Sequence, residues 1–288
     1  MKTPFFVKLQ HLMPHHCISR AAHWVAECRC GWFKNAFIKW FIKRYQVDMG
    51  LAENENPESF AHFNDFFTRP LKAGARPIPA DESIIVSPAD GAISQLGKIE
   101  YGRIFQAKGH DYSLTELVGG DVKLAQEFND GSFATVYLSP KDYHRVHMPY
   151  GGTLRSMIYV PGRLFSVNQT TTEHLPGLFA RNERVVCIFD TNIGPMAVIM
   201  VGAMIVASIE TTWAGLVTPP RRQLKQTDYT EAARQPIKLA KGDEMGRFKL
   251  GSTAIVLFGK DAINWEESLT ADTDVLMGSK LGQKTASN

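Results

Sequence analysis

The sequence predicts an α+β protein, a predominantly β core domain with an N-terminal amphipathic helical appendage. From Ile84 onward, short β-branched or aromatic runs recur at 84–86, 133–138, 155–160, 184–189, 196–201, 204–210 and 253–258. Gly, Pro, Asn and Asp punctuate them, which is the signature of strands joined by turns. Ahead of them, residues 1 to about 50 read as helical, with aromatic residues at helical spacing. At 288 residues, 44% hydrophobic and 21% charged, the chain can bury one large domain and carry an appendage.

Within the appendage, Phe33, Ala36, Phe37, Trp40 and Phe41 are expected on one helix face, opposite Asn35, Lys39 and Lys43, with Ile38 and Ile42 off the stripe. Trp24, Trp32 and Trp40, interleaved with Lys and Arg, supply what an interfacial anchor needs: rings at headgroup depth and cations against anionic lipid. A helix packed on the protein's own core would show the same residues. Residues 1–50 hold eight Lys/Arg against Glu27 and Asp48, so this segment is +6 in a chain of net +3. The basic charge thus belongs to the appendage, and the whole-chain value gives no argument for nucleic acid. The polar stretch Glu53 to Pro57 sets the division, a membrane-associating segment over 1–56 and a catalytic domain over 57–288. A short helix carrying Phe60, Phe63 and Phe67 follows and ends before Pro70. Pro77 and Pro79 mark entry into the β body.

Ile193–Ile209 is uncharged, but Gly194, Pro195 and Gly202 and its β-branched residues predict two buried strands with a turn, not a spanning helix. Residues 219–236 read as a polar surface loop. Lys8 interrupts the apolar start, so no secretory signal is expected. Cys17, Cys28, Cys30 and Cys187 form no disulfide framework in a chain this long, and the first three match no zinc spacing with His11, His15, His16 and His23. No metal is expected, and the thiols read as reduced in a compartment facing the cytoplasm.

The most informative stretch is Leu250-Gly251-Ser252-Thr253, where a turn runs into the apolar run Ala254–Phe258. Glycine tolerates strained conformations that would let the next hydroxyl reach its carbonyl carbon. Attack there converts amide to ester, and elimination leaves a ketone at a new N-terminus, a built-in electron sink. Gly-Ser pairs also stand at 131–132 and 278–279, and any such pair alone reads as a turn. A serine attacking an amide needs a base, and the base needs an orienting group. Tyr143-His144-Arg145-Val146-His147 offers two histidines after the strand Phe133–Leu138. Taken alone they are loop histidines bonded to backbone. Ser87-Pro88-Ala89-Asp90-Gly91 places a carboxylate in a tight turn, which alone reads as an Asp stabilising that turn.

Together these segments resemble the phosphatidylserine decarboxylase proenzymes of the bacterial-type branch. The likeness runs from about Phe60 to Phe258. It includes Phe66-Phe67-Thr68-Arg69-Pro70-Leu71, Ser87 to Gly91, Gln106-Ala107-Lys108-Gly109 and Tyr137 to Pro149. It continues through Pro161-Gly162, Asn182-Glu183-Arg184 and Val201-Gly202-Ala203 to Gly246-Arg247-Phe248 and the Leu-Gly-Ser-Thr site. The resemblance implies that Asp90 and His147 activate Ser252 for one self-cleavage between Gly251 and Ser252. Chains 1–251 and 252–288 would stay associated, with Ser252 converted to a covalent pyruvoyl cofactor. The amine of phosphatidylserine would form a Schiff base with it, CO2 would leave, and His144 would handle the proton before phosphatidylethanolamine is released. The implied partners are phosphatidylserine in an anionic membrane and the two chains of one precursor, with a homodimer as an allowed assembly. The implied location is peripheral, on the cytoplasmic face of the cell membrane.

Three rivals are distinguishable. A serine hydrolase using Asp90, His147 and Ser252 would keep one uncut chain and usually shows Gly-x-Ser-x-Gly, which Thr253 and the β-branched run do not fit. A pyruvoyl enzyme for a soluble amino acid leaves the basic aromatic N-terminus without a role. A non-catalytic membrane module explains residues 1–50 and none of the later motifs. Gly278 to Thr285 has the wrong spacing for a phosphate loop.

Overall fold

Strand Thr253–Phe258 lies in the middle of the computed structural model, which describes residues 4–204, 208–218, 223–230, 235–249 and 253–286. Its side chains alternate between two cores because successive residues of a strand point to opposite faces. Ile255 and Leu257 join one cluster with Ile158, Val186, Ile199 and Phe133. Ala254, Val256 and Phe258 join the other with Val185, Val198, Met200 and Phe248. A strand buried on both faces reads as an unbroken apolar run, which is what the sequence offers here.

Around it, among the described residues, nine strands make one sheet. Thr253–Phe258 is flanked by Gly194–Val201 on one side and Ser132–Tyr137 on the other, with Thr253 opposite both Val201 and Tyr137. Beyond Gly194–Val201 come Arg184–Thr191, Gly152–Val160 and the edge strand Lys225–Asp228. Beyond Ser132–Tyr137 come Gly91–Lys98 and Asp274–Val275. A smaller sheet orders Gly215–Leu216, Ser208–Thr211, Glu244–Lys249 and Arg145–His147.

The expected runs appear as strands, of 204–210 only the part from Ser208, and the polar strands are additions. Lys225–Asp228 falls inside the expected loop 219–236, of which 219–222 and 231–234 lie outside the described residues. It pairs at the sheet edge with its side chains largely in solvent, so no apolar pattern announced it. Across 193–209 the chain makes Gly194–Val201 and then Ser208–Thr211, in different sheets, with 205–207 outside the description. No helix of the described residues is long and apolar enough to cross a membrane.

Three helices open the chain, Phe5–Gln10, His15–Ala26 and Gly31–Tyr45. The third ends on Gln46 in the left-handed conformation (φ 56°), with Lys43 and Arg44 facing the negative end of its dipole. Its buried stripe is Lys34, Ile38 and Phe41: of the expected face, Phe41 is buried and Phe37 is partly buried 4.6 Å from the Phe63 ring, while Ile38, expected off that face, lies at the centre of the contact. Ile38 is fully buried, whereas Ala36 and Trp40 face solvent. The short helix Phe63–Phe67 sets this rotation: Phe41 meets Phe63, Phe66 and Phe67 at centroid distances of 5.0, 6.0 and 5.9 Å. This aromatic cluster also holds Phe60 and Ala26, so its packing crosses the 56/57 division. Phe5–Gln10 docks separately. Gln10 accepts from the Ser166 N–H at 2.8 Å and donates to Thr171 Oγ1 at 3.1 Å.

Candidate active site

Leu250, Gly251 and Ser252 lie outside the described residues, but the chain on either side of them is built into sheets. Upstream, Ser208 pairs with Lys249 and Arg145–His147 pairs with Glu244–Lys249, placing Val146 opposite Gly246 and His147 opposite Glu244. Phe248 N–H donates to the His144 carbonyl at 3.0 Å. The histidine segment therefore lies alongside the strand that leads into position 252. The same segment reaches the Asp90 turn, because His147 N–H donates to the Pro88 carbonyl at 2.8 Å. That turn in turn abuts Tyr137, the partner of Thr253. Only glycine fits at 91, since a Cβ there would lie 2.1 Å from the Tyr137 carbonyl oxygen. Asp90, the two histidines and both flanks of Ser252 thus converge from four separate segments.

The two histidines have different surroundings. The His147 Nδ1 lies 2.8 Å from the Gly242 carbonyl, and its Nε2 lies 3.0 Å from the Tyr143 hydroxyl. A carbonyl only accepts, so the neutral ring carries its proton on Nδ1 and leaves an Nε2 lone pair facing the Tyr143 O–H. Burial pushes the His147 pKa below the usual histidine value, partly opposed by the Gly242 carbonyl and by the charges of Glu244 and Asp90. The ring is therefore a neutral base at pH 7. Tyr143 is itself pushed up to about 12 by burial and stays protonated.

His144 is fully buried, with its ring 3.9 Å from the Phe67 ring, centroid to centroid. Its Nδ1 sits 2.8 Å from the Asp142 carbonyl, which again leaves Nε2 as the acceptor. That nitrogen is buried and has no partner among the described residues. Burial drives the pKa down to about 3, opposed by the Asp142 carbonyl and lowered further by Arg69. The hydroxyl of Thr253, the residue after Ser252, is likewise buried and unpartnered among the described residues. The Thr253 hydroxyl can donate to a carbonyl oxygen at the head of the central strand, whereas the His144 Nε2 lone pair can only accept a proton.

Asp90 is buried but makes no hydrogen bond to His147 among the described residues. Its carboxylate takes Arg76 in a two-pronged ion pair, Nε to Oδ1 at 2.8 Å and Nη2 to Oδ2, and accepts the Met277 N–H at 2.8 Å. It reaches His147 through its field instead. The sequence reading had no signal for Arg76, Tyr143 or the Gly242 carbonyl. Arg76 stands beside Pro77 in an undistinguished polar stretch, Tyr143 read only as part of a motif, and a backbone carbonyl leaves no trace in residue identity.

Other motif residues are structural. Asn182 holds Phe165 and Gly202 through three side-chain hydrogen bonds of 2.9–3.0 Å. Arg184 donates to the Leu117, Ala180 and Asn182 carbonyls at 2.7–2.8 Å. Gln106 ties down the 172–178 segment, donating to the Thr172 and Leu175 carbonyls and accepting the Leu178 N–H. Two clefts flank Tyr137 and Ala92. One of about 430 Å³ is lined by Arg69, Arg76, Asp90 and Tyr143, and one of about 180 Å³ by Lys108, Val167 and Glu173.

Known proteins are similar to this chain over nearly its whole length. A family model described as phosphatidylserine decarboxylase matches residues 63–283, and a second, described as PSD, matches residues 5–46. The chain is 66% identical over 282 residues to a phosphatidylserine decarboxylase proenzyme of Pseudomonas fluorescens, covering 98% of each. It is 65% identical to those of Ectopseudomonas mendocina and Pseudomonas putida, covering 98% of this chain and 99% of each relative.

Proposed function

Because this chain belongs to the phosphatidylserine decarboxylase family, we propose that it matures by cutting itself between Gly251 and Ser252, with His147 as the base and Asp90 in support. The protein is a proenzyme of a decarboxylase acting on phosphatidylserine, and its prosthetic group is a pyruvoyl derived from serine. That group, once formed, supplies the carbonyl that draws off the electron pair released with CO2. The observation that carries the residue assignment is the pairing of Arg145–His147 with Glu244–Lys249, which runs the histidine segment beside the approach to Ser252.

In the precursor, His147 Nε2 takes the Ser252 hydroxyl proton while the Gly242 carbonyl holds Nδ1–H in place. Tyr143 occupies Nε2 until the serine arrives, keeping that lone pair directed and dry. The fields of Glu244 and Asp90 favour the imidazolium that forms. In the mature enzyme, His144 presents its unpartnered Nε2 as the proton-handling atom, with Phe67 excluding water from one ring face. Phe5, Leu12, Trp24, Trp32 and Trp40, exposed among Lys8, Arg20, Arg29, Lys39 and Lys43, form the surface that meets anionic lipid on the cytoplasmic face. The two chains remain together because Thr253–Phe258, the first strand of the small chain, is the sheet's central strand.

The denatured mass tests this reading directly. Maturation yields a 37-residue small chain, separable only on denaturation, about 4 kDa of the 32.1 kDa total and blocked by a ketone in place of the serine amine. A single 32.1 kDa species that stays uncut with phosphatidylserine vesicles would overturn it.

A further inference from the structure

Arg69 is a buried charge in the site region that the maturation chemistry leaves without a task. It is only 4% exposed, yet its guanidinium makes no hydrogen bond or ion pair among the described residues, and its Nε is buried without an acceptor. It lies over the Phe66 ring, Cζ 5.3 Å from the centroid. Its backbone is fixed by an N–H to the Phe66 carbonyl at 3.1 Å and by the neighbouring Thr68 carbonyl, which accepts Arg145 Nε at 2.8 Å. Three carboxylates act on it through space, and each is occupied elsewhere. Asp90 holds Arg76 and Met277. Asp48 accepts the Gly50 N–H, and Asp142 accepts the N–H and hydroxyl of Ser139. A desolvated guanidinium with no acceptor is costly, and the cost is recovered when an anion arrives.

The cation lines the cleft of about 430 Å³ together with Ser139, Lys141 and Tyr143, the last of which touches His147. Resting on the decarboxylase reading above, we propose that Arg69 is the receptor for the phosphodiester of the phospholipid headgroup. The headgroup brings two anions, and the chemistry chooses between them. A carboxylate loses its charge as CO2 departs, so a cation clamped on it would stabilise the ground state over the transition state and slow the reaction. The phosphodiester keeps its charge throughout, and a planar five-donor fork suits its oxygens. Lys141 at the exposed rim adds a second cation. Asp48 and Asp274 also line the cleft.

The test uses Arg69→Met and Arg69→Lys in the full chain. Steady-state decarboxylation in mixed micelles is expected to show KM raised about ten- to a hundredfold in Arg69→Met, the range for a lost charged hydrogen bond, with a much smaller change in kcat. Glycerophosphoglycerol, a phosphodiester without carboxylate or amine, should inhibit the wild type and lose that effect in Arg69→Met. Arg69→Lys, keeping the charge without the fork, should fall between. Loss of inhibition by 3-hydroxypropionate with glycerophosphoglycerol inhibition intact would reassign Arg69 to the carboxylate and overturn the proposal. Unchanged KM and unchanged inhibition by both would reduce it to a packing residue. Calorimetric titration of glycerophosphoglycerol into the uncut Ser252→Ala precursor, with and without Arg69→Met, reads the same contact in a variant that does not mature. Diester binding through Arg69 in a protein that leaves phosphatidylserine unchanged would sink the decarboxylase reading and leave this one standing.

Discussion

His144 and His147 stand three residues apart, and their separate surroundings separate their expected phenotypes. His147→Ala should arrest maturation, read as persistence of the full-length band, because the directed Nε2 lone pair is lost. His144→Ala should cut normally and lose turnover, by about 100-fold or more if it handles the proton as a general acid–base. Normal cutting in the first variant, or normal decarboxylation in the second, would remove that histidine from its role. Both rings are held neutral by burial, and this has a pH consequence with a definite sign. Their folded pKa values lie below the unfolded one, so below pH about 6.5 the unfolded chain binds protons that the native chain refuses. The stability they contribute is intact above that pH and is lost as pH falls, for His144 over the whole range down to about 3. Urea unfolding of the Ser252→Ala precursor at pH 7 and pH 5 should therefore show a larger loss than the same comparison in a Ser252→Ala, His144→Gln background. Asp90→Asn leaves the Arg76 guanidinium buried and half-paired, and removing one partner of such a pair costs about 3–5 kcal/mol. Its effect should appear as a lowered melting temperature in the Ser252→Ala background, apart from any effect on cutting.

Between elements, the site depends on close backbone approaches that only glycine allows. A Cβ at Gly91 would sit 2.1 Å from the Tyr137 carbonyl oxygen, and one at Gly246 would sit 2.4 Å from that of Glu210. Gly246→Ala should push Glu244–Lys249 off Ser208–Thr211, costing about 1–3 kcal/mol and slowing maturation, since the same strand carries the register with His147. Wild-type cutting rates in that variant would show that the register is not what positions the base. This layer was only partly legible in the sequence. Apolar runs such as 253–258 and 184–189 announced their strands, because burial on both faces demands unbroken apolar residues. Glu244–Lys249 and Gly91–Lys98 carry Gly, Glu, Gln and Lys and gave no such signal, although they bring the site together. Asp90, His144 and His147 were legible as residue types beside a Gly-Ser pair. Their actual partners, a carbonyl, a tyrosine hydroxyl and an arginine from a remote turn, are set by tertiary contact alone. The N-terminal helix shows the same limit. Its apolar residues cover most of the circumference, so periodicity could not fix which side the Phe63–Phe67 helix would take.

At the scale of the whole molecule, the N-terminal helices are held from within and bare on the outside. Trp24, Trp32 and Trp40 are 78%, 77% and 55% exposed, while Ile38 and Phe41 anchor the third helix to the Phe60–Phe67 cluster. Replacing all three tryptophans by alanine should leave melting temperature and maturation near wild type and abolish sedimentation with anionic vesicles. Retained vesicle binding would show that the aromatic face is not the lipid contact. The flanks of the proposed cleavage point bear on the molecule as a whole in another way. Lys249 is tied to Ser208, and Thr253 is tied to Tyr137 and Val201, so a cut at the proposed bond between Gly251 and Ser252 should leave both of these anchor points in their sheets. Zymogen and mature enzyme should then share one elution volume, one sedimentation coefficient and one intact native mass to within the few daltons of the chemistry. A preparation could be wholly unprocessed and look perfect by every non-denaturing criterion of purity.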